Sequence, residues 1–425
     1  MISDTIQLFI LLRNQVLSAD RLKALQESKL RHLVAHAYQN VEFYRSWFRK
    51  AGASPKDIRT IDDLNGLPVV TKEELRAAGI ENCIAKTADL NKCVRIKTSG
   101  STGEKFIYYF SREETLICQL IEFRSLLNIG FRPYNRLAVL GPETPHKRRL
   151  HQHFRLFRSE NISALLSHNE QIRRLREIRP TIIWAYPTVL ETLLHALDYS
   201  LSKVLRPRTL ITSAEVFPSH LRRKIAADLD VDIYNFYGAR EIGRIAYECP
   251  CHQGLHVNAD HVILQTRQIG NEDGNELWTE AILTSLNAHT MPLIRYRIGD
   301  LCQTADKTCI CGSSFPLIGA PIGRTNDIFA LPSGRLISPI SLGFLIRRFD
   351  HYKQFQLVQL TNDSFLLEIA ADNPVKENEV VALRNQIMTY LSEPVQLSIR
   401  LVSGFRPEGP KFRPFISRVG SIKRL

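Results

Sequence analysis

Segments with helical periodicity alternate with short apolar segments between residues 113 and 238, and this alternation is the strongest constraint on the fold. The strand-like segments include RLAVLG at 136–141 and RTLITSAE at 208–215, and the helical ones include EETLICQLIEFRSLL at 113–127 and HLRRKIAADL at 220–229. Short apolar strands separated by helices are typical of parallel sheets whose faces are covered by helices. We therefore predict an α/β fold. Ligands of such sheets bind beyond the carboxyl ends of the strands, so the polar residues that follow each strand are candidates for a site.

The 425-residue chain is longer than one typical domain, and its pattern changes twice. From about residue 244 to 320 the strands become shorter and turns such as NEDGNE separate them, which predicts a β-rich subdomain. After residue 323, the strand-like strings FQLVQL, SFLLEIA and VQLSIRLV accompany a helix-like stretch at 376–392. We predict a large N-terminal domain at 1–323 and a small α+β C-terminal domain at 324–425.

Composition describes a soluble globular protein, with 44% hydrophobic and 23% charged residues. The formal net charge is +13, but no run of Lys and Arg exceeds three residues, which argues against a dedicated nucleic-acid arm. Part of this positive field attracts polyanions such as ATP and coenzyme A. The apolar segment at 6–12 is too short to span a bilayer and lacks the basic start of a signal peptide. We expect an amphipathic first helix, no stable membrane insertion and a cytoplasmic location.

The string TSGSTGEK at 98–105 directly follows the strand-like VRIK at 94–97. Hydroxyl side chains, glycines that let backbone N–H groups approach an anion, and one ammonium group suit a nucleoside triphosphate. The spacing differs from the Walker pattern, because Gly100 and Gly103 lie three apart and Lys105 is followed by Phe. The string predicts an ATP site of another fold; an ordinary Ser/Thr/Gly turn is the alternative.

Three further strings follow in order, namely YGAREIG at 237–243, PLIRYRIGD at 292–300 and GRTND at 323–327. Together with TSGSTG, they resemble the adenylate-forming superfamily of acyl-CoA synthetases and adenylation domains. The chain is most similar to the phenylacetate-CoA ligase and capsule-biosynthesis branch, as HAYQNVEFYRSWFRKAG at 36–52 also suggests. The resemblance extends over nearly the whole chain.

The resemblance implies a role in nucleotide binding for many of these residues. Ala214, Glu215, Tyr237 and Gly238 would enclose the adenine, and Asp300 would hold the ribose hydroxyls. The loop for the β- and γ-phosphates would consist of Thr98, Ser99, Gly100, Ser101, Thr102, Gly103 and Lys105.

Three charged residues complete the site that the resemblance implies. Glu241 would bind Mg²⁺, an ion that prefers hard oxygen ligands alongside substrate phosphates. Arg324, near the hinge, would also contact the ribose. Lys411 matches the catalytic lysine of a mobile C-terminal lid, whose ammonium group bridges the carboxylate and the α-phosphate; a solvated tail lysine is the alternative.

The sequence departs from the family pattern at two places. Arg240 stands where the family usually has Thr or Ser, although a guanidinium can itself bind a phosphate. Asn326 replaces the usual hinge aspartate, and the following FALPSGR lacks the Arg-Gly pair of the thiolation face. The residues therefore support adenylation more strongly than transfer to coenzyme A. The acyl acceptor could instead be an amine, an alcohol or a carrier-protein thiol.

Five of the eight cysteines occur in two short segments, CPCHQGLH at 249–256 and CQTADKTCIC at 302–311. Cys309 and Cys311 resemble a zinc turn, and the first segment offers Cys249, Cys251, His252 and His256, more than a tetrahedral ion needs. By resemblance to zinc-carrying members of the branch, we choose Cys249 and His256 to complete a structural site. Reduced thiols that lie near each other by chance are the alternative.

The candidate pocket for the carboxylic acid lies at the end of a strand, at Trp184, Ala185, Tyr186 and Pro187, with Phe131 as a further candidate. Aromatic side chains at these positions suggest an aryl or arylacetic acid, and a place in the hydrophobic core is the alternative.

The leading hypothesis is an ATP-dependent ligase that forms an acyl-adenylate, releases pyrophosphate and passes the acyl group to coenzyme A. The second is an amide or ester synthetase, or a carrier-protein ligase, in a cell-envelope or natural-product pathway. The third is a zinc-stabilised nucleic-acid-binding protein that uses the +13 charge. We expect no nucleic-acid partner. The sequence leaves the oligomeric state open, a homodimer included.

Overall fold

A computed structural model describes most of the chain. The described residues are 2–97, 106–141, 156–197, 200–217, 219–272, 276–305, 307–324, 328–337, 342–343, 346, 352–371, 375–405 and 412–419.

Ten α-helices occur in the described residues. They are Ile2–Asn14 (α1), Ala19–Asn40 (α2), Glu42–Lys50 (α3), Lys72–Ala77 (α4), Ile80–Cys83 (α5), Arg112–Asn128 (α6), His168–Ile178 (α7), Pro187–Ala196 (α8), Ser219–Leu229 (α9) and Glu377–Leu391 (α10). Short 3₁₀ turns lie at Pro55–Asp57, Asp62–Gly66, Leu90–Lys92 and Leu201–Lys203.

The strands fall into two sets along the chain. The first set is Val94–Lys97 (β1), Ile107–Phe110 (β2), Arg136–Gly141 (β3), Arg158–Ser163 (β4), Ile182–Ala185 (β5), Thr209–Ser213 (β6), Asp232–Ala239 (β7), Gly243–Glu248 (β8), Leu255–Val257 (β9), Val262–Glu272 (β10), Glu276–Ser285 (β11) and Tyr296–Cys302 (β12). The second set is Thr304–Ala305 (β13), Leu317–Ile318 (β14), Gly323–Arg324 (β15), Phe329–Ala330 (β16), Leu336–Ile337 (β17), Tyr352–Thr361 (β18), Ser364–Ala371 (β19), Gln396–Val402 (β20) and Phe415–Ser417 (β21).

The largest sheet of the described chain has the strand order β13-β14-β9-β8-β7-β6-β5-β3-β4. Strands β4, β3, β5, β6 and β7 are parallel, which confirms the predicted α/β class. From β7 onward the neighbours β8, β9, β14 and β13 run antiparallel. The prediction of parallel sheets therefore holds for one half of this sheet. The antiparallel half arises because the turn after β7 is too short for a crossover helix.

Helices cover both faces of the parallel half. On one face, side chains of α7, α8 and α9 form a core with β3, β5 and β6, including Leu175, Leu190, Ile225, Ile183 and Leu210. On the opposite face, side chains from α6 and from strands β5 to β8 form a second core. This two-faced burial explains why the inner strands β3, β5 and β6 are mostly apolar, whereas β4, at the edge of the sheet, has the polar sequence RSENIS.

A buried ion pair fixes α6 to the turn before β10. Both side chains are 0% exposed, and the guanidinium of Arg124 donates to the two carboxylate oxygens of Asp260 at 2.7 and 2.8 Å. Asn14, at the end of α1, donates to the same carboxylate at 3.0 Å. Removing one partner of such a pair leaves a buried charge and costs about 3–5 kcal/mol.

A smaller antiparallel sheet follows, in the order β10-β11-β12-β15. Strands β10 and β11 have 11 and 10 residues and are longer than those of the parallel half, so the expectation of shorter strands after residue 244 is wrong for this sheet, because the two strands pair with each other along nearly their whole length. Its last pair sets Asp300 of β12 directly opposite Arg324 of β15. Strand β12 is also bridged to Val70, whose N–H and C=O bond to Arg295 and Arg297, so the segment that starts α4 lies beside it.

The C-terminal part has a hydrophobic core of its own. The sheet β20-β19-β18-β21 packs against α10, with Phe329, Phe355, Phe365, Leu383 and Ile387 among the buried side chains. The helix lies within the predicted helical stretch at 376–392. This separate core supports the predicted domain boundary at residues 323–324, which stays a prediction.

Within the described ranges, no helix combines the length and the apolar character that crossing a bilayer requires.

Candidate active site

The carboxyl ends of three neighbouring parallel strands meet at one edge of the large sheet. Register pairs Ala185 of β5 with Thr212 of β6, and Ser213 of β6 with Phe236 of β7. The predicted residues that follow these strands, at 186–187, 214–215 and 240–241, therefore lie at the same edge.

Asp300 joins two of the other predicted residues. The Tyr237 hydroxyl donates to Oδ2 of Asp300 at 2.8 Å, and Nε of Arg324 lies 3.1 Å from Oδ1. Asp300 is 8% exposed, whereas the Arg324 side chain is 49% exposed. Burial and the adjacent Asp300 carboxylate raise the pKa of Tyr237 well above its usual value, so the phenol stays protonated and donates.

Glu241 lies at the end of β7 and is 8% exposed. Its Oε1 accepts a hydrogen bond from the Tyr296 hydroxyl at 3.2 Å. Burial and the Glu241 charge raise the pKa of Tyr296, which keeps this phenol a donor. The carboxylate of Glu241 is thereby oriented by a neutral group and has acceptor capacity left for a cation.

Lys72 is a basic residue of this region that sequence analysis missed. It begins α4, where Thr71 caps the helix in a capping box with Glu74. Its ammonium group lies 5.6 Å from the centroid of the Phe106 ring. Burial lowers the pKa of Lys72, against the opposing effect of Glu241, and the nearby Arg76 and Arg324 lower it further. The Lys72 side chain therefore lies near the predicted site residues Glu241 and Arg324.

Backbone geometry restricts two of the predicted adenine-site residues. A Cβ at Gly238 would lie 2.6 Å from the carbonyl oxygen of Gly243, so only glycine fits at this point of β7. Ala214 follows β6 with a φ of 71°, a left-handed conformation that is costly for a residue with a Cβ. Strain of this kind persists only where surrounding contacts hold it.

Glu215 caps the start of α8. Its two carboxylate oxygens accept hydrogen bonds from the backbone N–H and the hydroxyl of Thr188, both at 3.0 Å. A carboxylate at a helix N-terminus is favoured by the unpaired N–H groups there. Glu215, which the resemblance places beside the adenine, therefore also caps α8.

The predicted acid pocket contains Trp184 and Tyr186 at the end of β5. The Trp184 indole N–H donates to Oγ of Ser213 at 2.7 Å. Tyr186 is buried, and burial raises its pKa to about 12, with the charge of Arg240 acting in the opposite direction and that of Glu215 in the same direction. Arg240 itself is exposed.

Phe131 has a different environment. It is buried among aromatic side chains, with ring centroids 6.2 Å from Phe123 and 5.4 Å from Phe157. This environment favours the alternative of a core residue.

Arg244 and Glu122 also belong to this region and were missed by sequence analysis. Nη2 and Nε of Arg244 donate to Oε2 of Glu122 on α6 at 2.8 and 3.2 Å. The guanidinium carbon lies 5.0 Å from the Trp184 ring centroid and 4.7 Å from that of Phe236. Glu122 and Trp184 lie 122 and 60 residues before Arg244 in the sequence, so no local motif identifies this group.

The four predicted zinc ligands come together in the structure. The ligand atoms of Cys249, His256, Cys309 and Cys311 all lie within 4.8 Å of one another. Nδ1 of His256 bonds to the Phe315 carbonyl at 3.0 Å, and its Nε2 lies 3.3 Å from Sγ of Cys311. Since a carbonyl only accepts, the proton is on Nδ1, which leaves the Nε2 lone pair available to a metal.

The other two candidates in this segment are placed differently. Nδ1 of His252 lies 2.8 Å from Glu248, and the His252 ring stacks on Tyr234 at 5.2 Å. Cys251 is half-buried and lies outside the group of four. Three thiols and one imidazole match the donors that zinc prefers in structural sites.

Several predicted residues lie outside the described part of the chain. They are Thr98, Ser99, Gly100, Ser101, Thr102, Gly103, Lys105, Asn326 and Lys411.

The chain is similar in sequence to proteins named phenylacetate-coenzyme A ligase. One of them, from Thermus thermophilus, is 25% identical over 449 residues, which cover 94% of this chain and 97% of that protein. Protein CapK of Staphylococcus aureus is 24% identical over 370 residues, covering 84% of this chain and 80% of CapK. No family model matches the chain.

A solved structure shares the fold. It is 2-hydroxyisobutyryl-CoA ligase in the postadenylation state, in complex with R3-HIB-AMP, with a TM-score of 0.75 and 17% sequence identity. The match covers 97% of this chain and 92% of that chain. The large sheet and the C-terminal unit both belong to the fold that this chain shares with that ligase.

Proposed function

We propose, from the premise that this chain belongs to the adenylate-forming superfamily of AMP-forming ligases, that it activates a small carboxylic acid with ATP and transfers the acyl group to coenzyme A. A cytoplasmic location, where both cosubstrates are available, is part of this proposal.

The observation that carries the proposal is the arrangement around Asp300. Its carboxylate is held by Tyr237 and Arg324, and Tyr296, which donates to Glu241, lies on the same strand β12 as Asp300. Each carboxylate oxygen has a second lone-pair site, so Asp300 can accept from two vicinal hydroxyl groups, as a ribose offers. Gly238 lies where β7 closely approaches the Gly243 backbone of β8, so its backbone can take no side chain at this point.

In the first half-reaction, a carboxylate oxygen of the acid attacks the α-phosphorus of ATP, and the bond to the β-phosphate oxygen breaks. Pyrophosphate leaves and an acyl-adenylate remains. Positive charge favours this step because negative charge accumulates on the phosphates. We assign that charge to Lys72, Arg240 and Lys411, with residues 98–105 holding the departing phosphates.

Glu241 is the residue that fits Mg²⁺, since its buried carboxylate is oriented by a neutral phenol and offers a hard oxygen. The ion would supply charge neutralisation on the phosphates when bound. The ligand set of Cys249, His256, Cys309 and Cys311 fits one structural zinc that joins β8 and β9 to the turn before β14.

In the second half-reaction, the coenzyme A thiol attacks the acyl carbonyl carbon, the bond to the phosphate oxygen breaks, and AMP leaves. The similarity to enzymes named as coenzyme A ligases supports this acceptor. The departure at Asn326 concerns this step and makes the acceptor the first part of the proposal to test.

The test is ATP–pyrophosphate exchange and AMP release measured over a panel of carboxylic acids, with and without coenzyme A. We expect exchange that depends on one class of acid, and a thioester when coenzyme A is added. Exchange without a thioester would retain adenylation and exclude coenzyme A as the acceptor. No exchange with any acid, by protein that binds ATP, would contradict the proposal.

A further inference from the structure

Arg244 and Glu122 form a charged pair at the edge of the candidate acid pocket. Their side chains are 6% and 32% exposed. The guanidinium of Arg244 packs against the rings of Trp184 and Phe236. Burying the Arg244 charge costs free energy that a packed apolar side chain would avoid, so stability alone is a weak reason for its position.

The pair lies next to a predicted substrate-binding position. Arg244 is the register partner of Gly238 in the ladder between β7 and β8. Nη1 of Arg244 lies 3.4 Å from the point that a Cβ on Gly238 would occupy. Nη1 of Arg244 therefore lies beside Gly238, a residue of the proposed nucleotide site.

In the described part of the chain, this pair leaves three N–H groups of Arg244 and the Oε1 acceptor of Glu122 available. Among the described residues, its hydrogen bonds use Nε and Nη2 of Arg244 and Oε2 of Glu122. Nη1 can donate to a ligand, and Oε1 of Glu122, on a side chain that is still partly exposed, can accept from one. The two sites are of opposite polarity, and the pair has no net charge.

We propose that Arg244 and Glu122 select carboxylic acids that carry a hydroxyl group on the part of the molecule distant from the reacting carboxylate; this inference rests on the proposed function. A hydroxyl group donates and accepts at once, which matches the two available sites. A second carboxylate could accept from Nη1 but would leave Oε1 of Glu122 without a donor, and an ammonium group could donate to Oε1 but would leave Nη1 without an acceptor. The aromatic rings beside the pair favour an apolar frame that carries this single polar group.

The test compares matched acids that bear a hydroxyl group, a hydrogen atom or a carboxylate at one position of an aryl or an alkyl frame. Binding is measured by calorimetry in the presence of a non-hydrolysable ATP analogue, and kcat/KM by ATP–pyrophosphate exchange. The variants are Arg244→Met and, because a buried substitution can impair folding, the more exposed Glu122→Gln. Glu177→Gln, in an exposed ion pair on α7, is the matched control.

We expect the hydroxylated acid to exceed its parent by about tenfold or more in kcat/KM, the value of one hydrogen bond to a charged group. This ratio should fall toward one in Glu122→Gln and Arg244→Met and stay unchanged in Glu177→Gln. A ratio near one in the natural protein, or a ratio that both variants retain, overturns the inference. Selective binding of the hydroxylated acid without exchange would uphold the pocket and reject the proposed function; neither binding nor exchange would reject both.

Discussion

At the scale of single residues, Asp300 is the side chain on which the nucleotide proposal depends most directly. The change Asp300→Asn removes the negative charge between Tyr237 and Arg324 and replaces an acceptor by a donor. We expect the KM for ATP to rise by about 10-fold to 100-fold, because hydrogen bonds to a charged group are lost. The measurement is ATP–pyrophosphate exchange at saturating acid.

Tyr237→Phe provides the graded comparison, since it leaves the carboxylate in place and removes only its phenol donor. We expect a smaller rise in the KM for ATP, of roughly threefold to tenfold. Urea unfolding of both variants separates this effect from a loss of stability. An unchanged KM for ATP in folded Asp300→Asn protein would place the ribose elsewhere.

At the scale of secondary-structure elements, the cysteine and histidine cluster holds together β9, the end of β8 and the turn at 309–311. We expect protein purified without added metal to contain about one equivalent of zinc. Cys309→Ser should lose the metal and lower Tm by roughly 5–10 °C, because metal binding is coupled to folding. Cys93→Ser, outside the cluster, should keep the metal. Natural protein that contains no metal, together with a Cys309→Ser variant whose Tm equals that of the natural protein, would reject the site.

The sequence predicts helices and strands better than it predicts which segments pair or pack with each other. Helices α6 and α9 and the strands β3, β5, β6 and β7 follow local periodicity, so they were predictable, whereas β4, with the polar sequence RSENIS, was not. The antiparallel direction of β8 was not, because strand direction depends on how distant segments pack. Sequence analysis missed four residues of this region for the same reason, because each one contacts a partner that is distant in the chain. These residues are Lys72, Tyr296, Arg244 and Glu122. The order of the motifs along the chain made Asp300 and Arg324 candidates for one site. Local periodicity alone could not have predicted that these two residues are in contact.

At the scale of the whole molecule, the C-terminal unit with its own core is proposed to bring Lys411 to the large domain. We expect Lys411→Ala to lower the rate of adenylate formation by about 10²–10³-fold, because one charge on the transition state is lost. Its free energy of unfolding should change by less than about 0.5 kcal/mol. Lys423→Ala, in the same tail, is the matched control. Full exchange activity in Lys411→Ala would assign that charge to another residue, with Lys72 the first to examine.

The capping of α8 by Glu215 has a consequence for engineering. A single carboxylate, at the end of β6, holds the first turn of a helix whose preceding residues Trp184 and Tyr186 border the proposed acid pocket. The proposed adenine site and the proposed acid pocket therefore share the contact between Glu215 and α8. Substitutions that widen the pocket along this helix should therefore also alter nucleotide affinity, and a designer who wants a new acid would have to re-optimise both sides together.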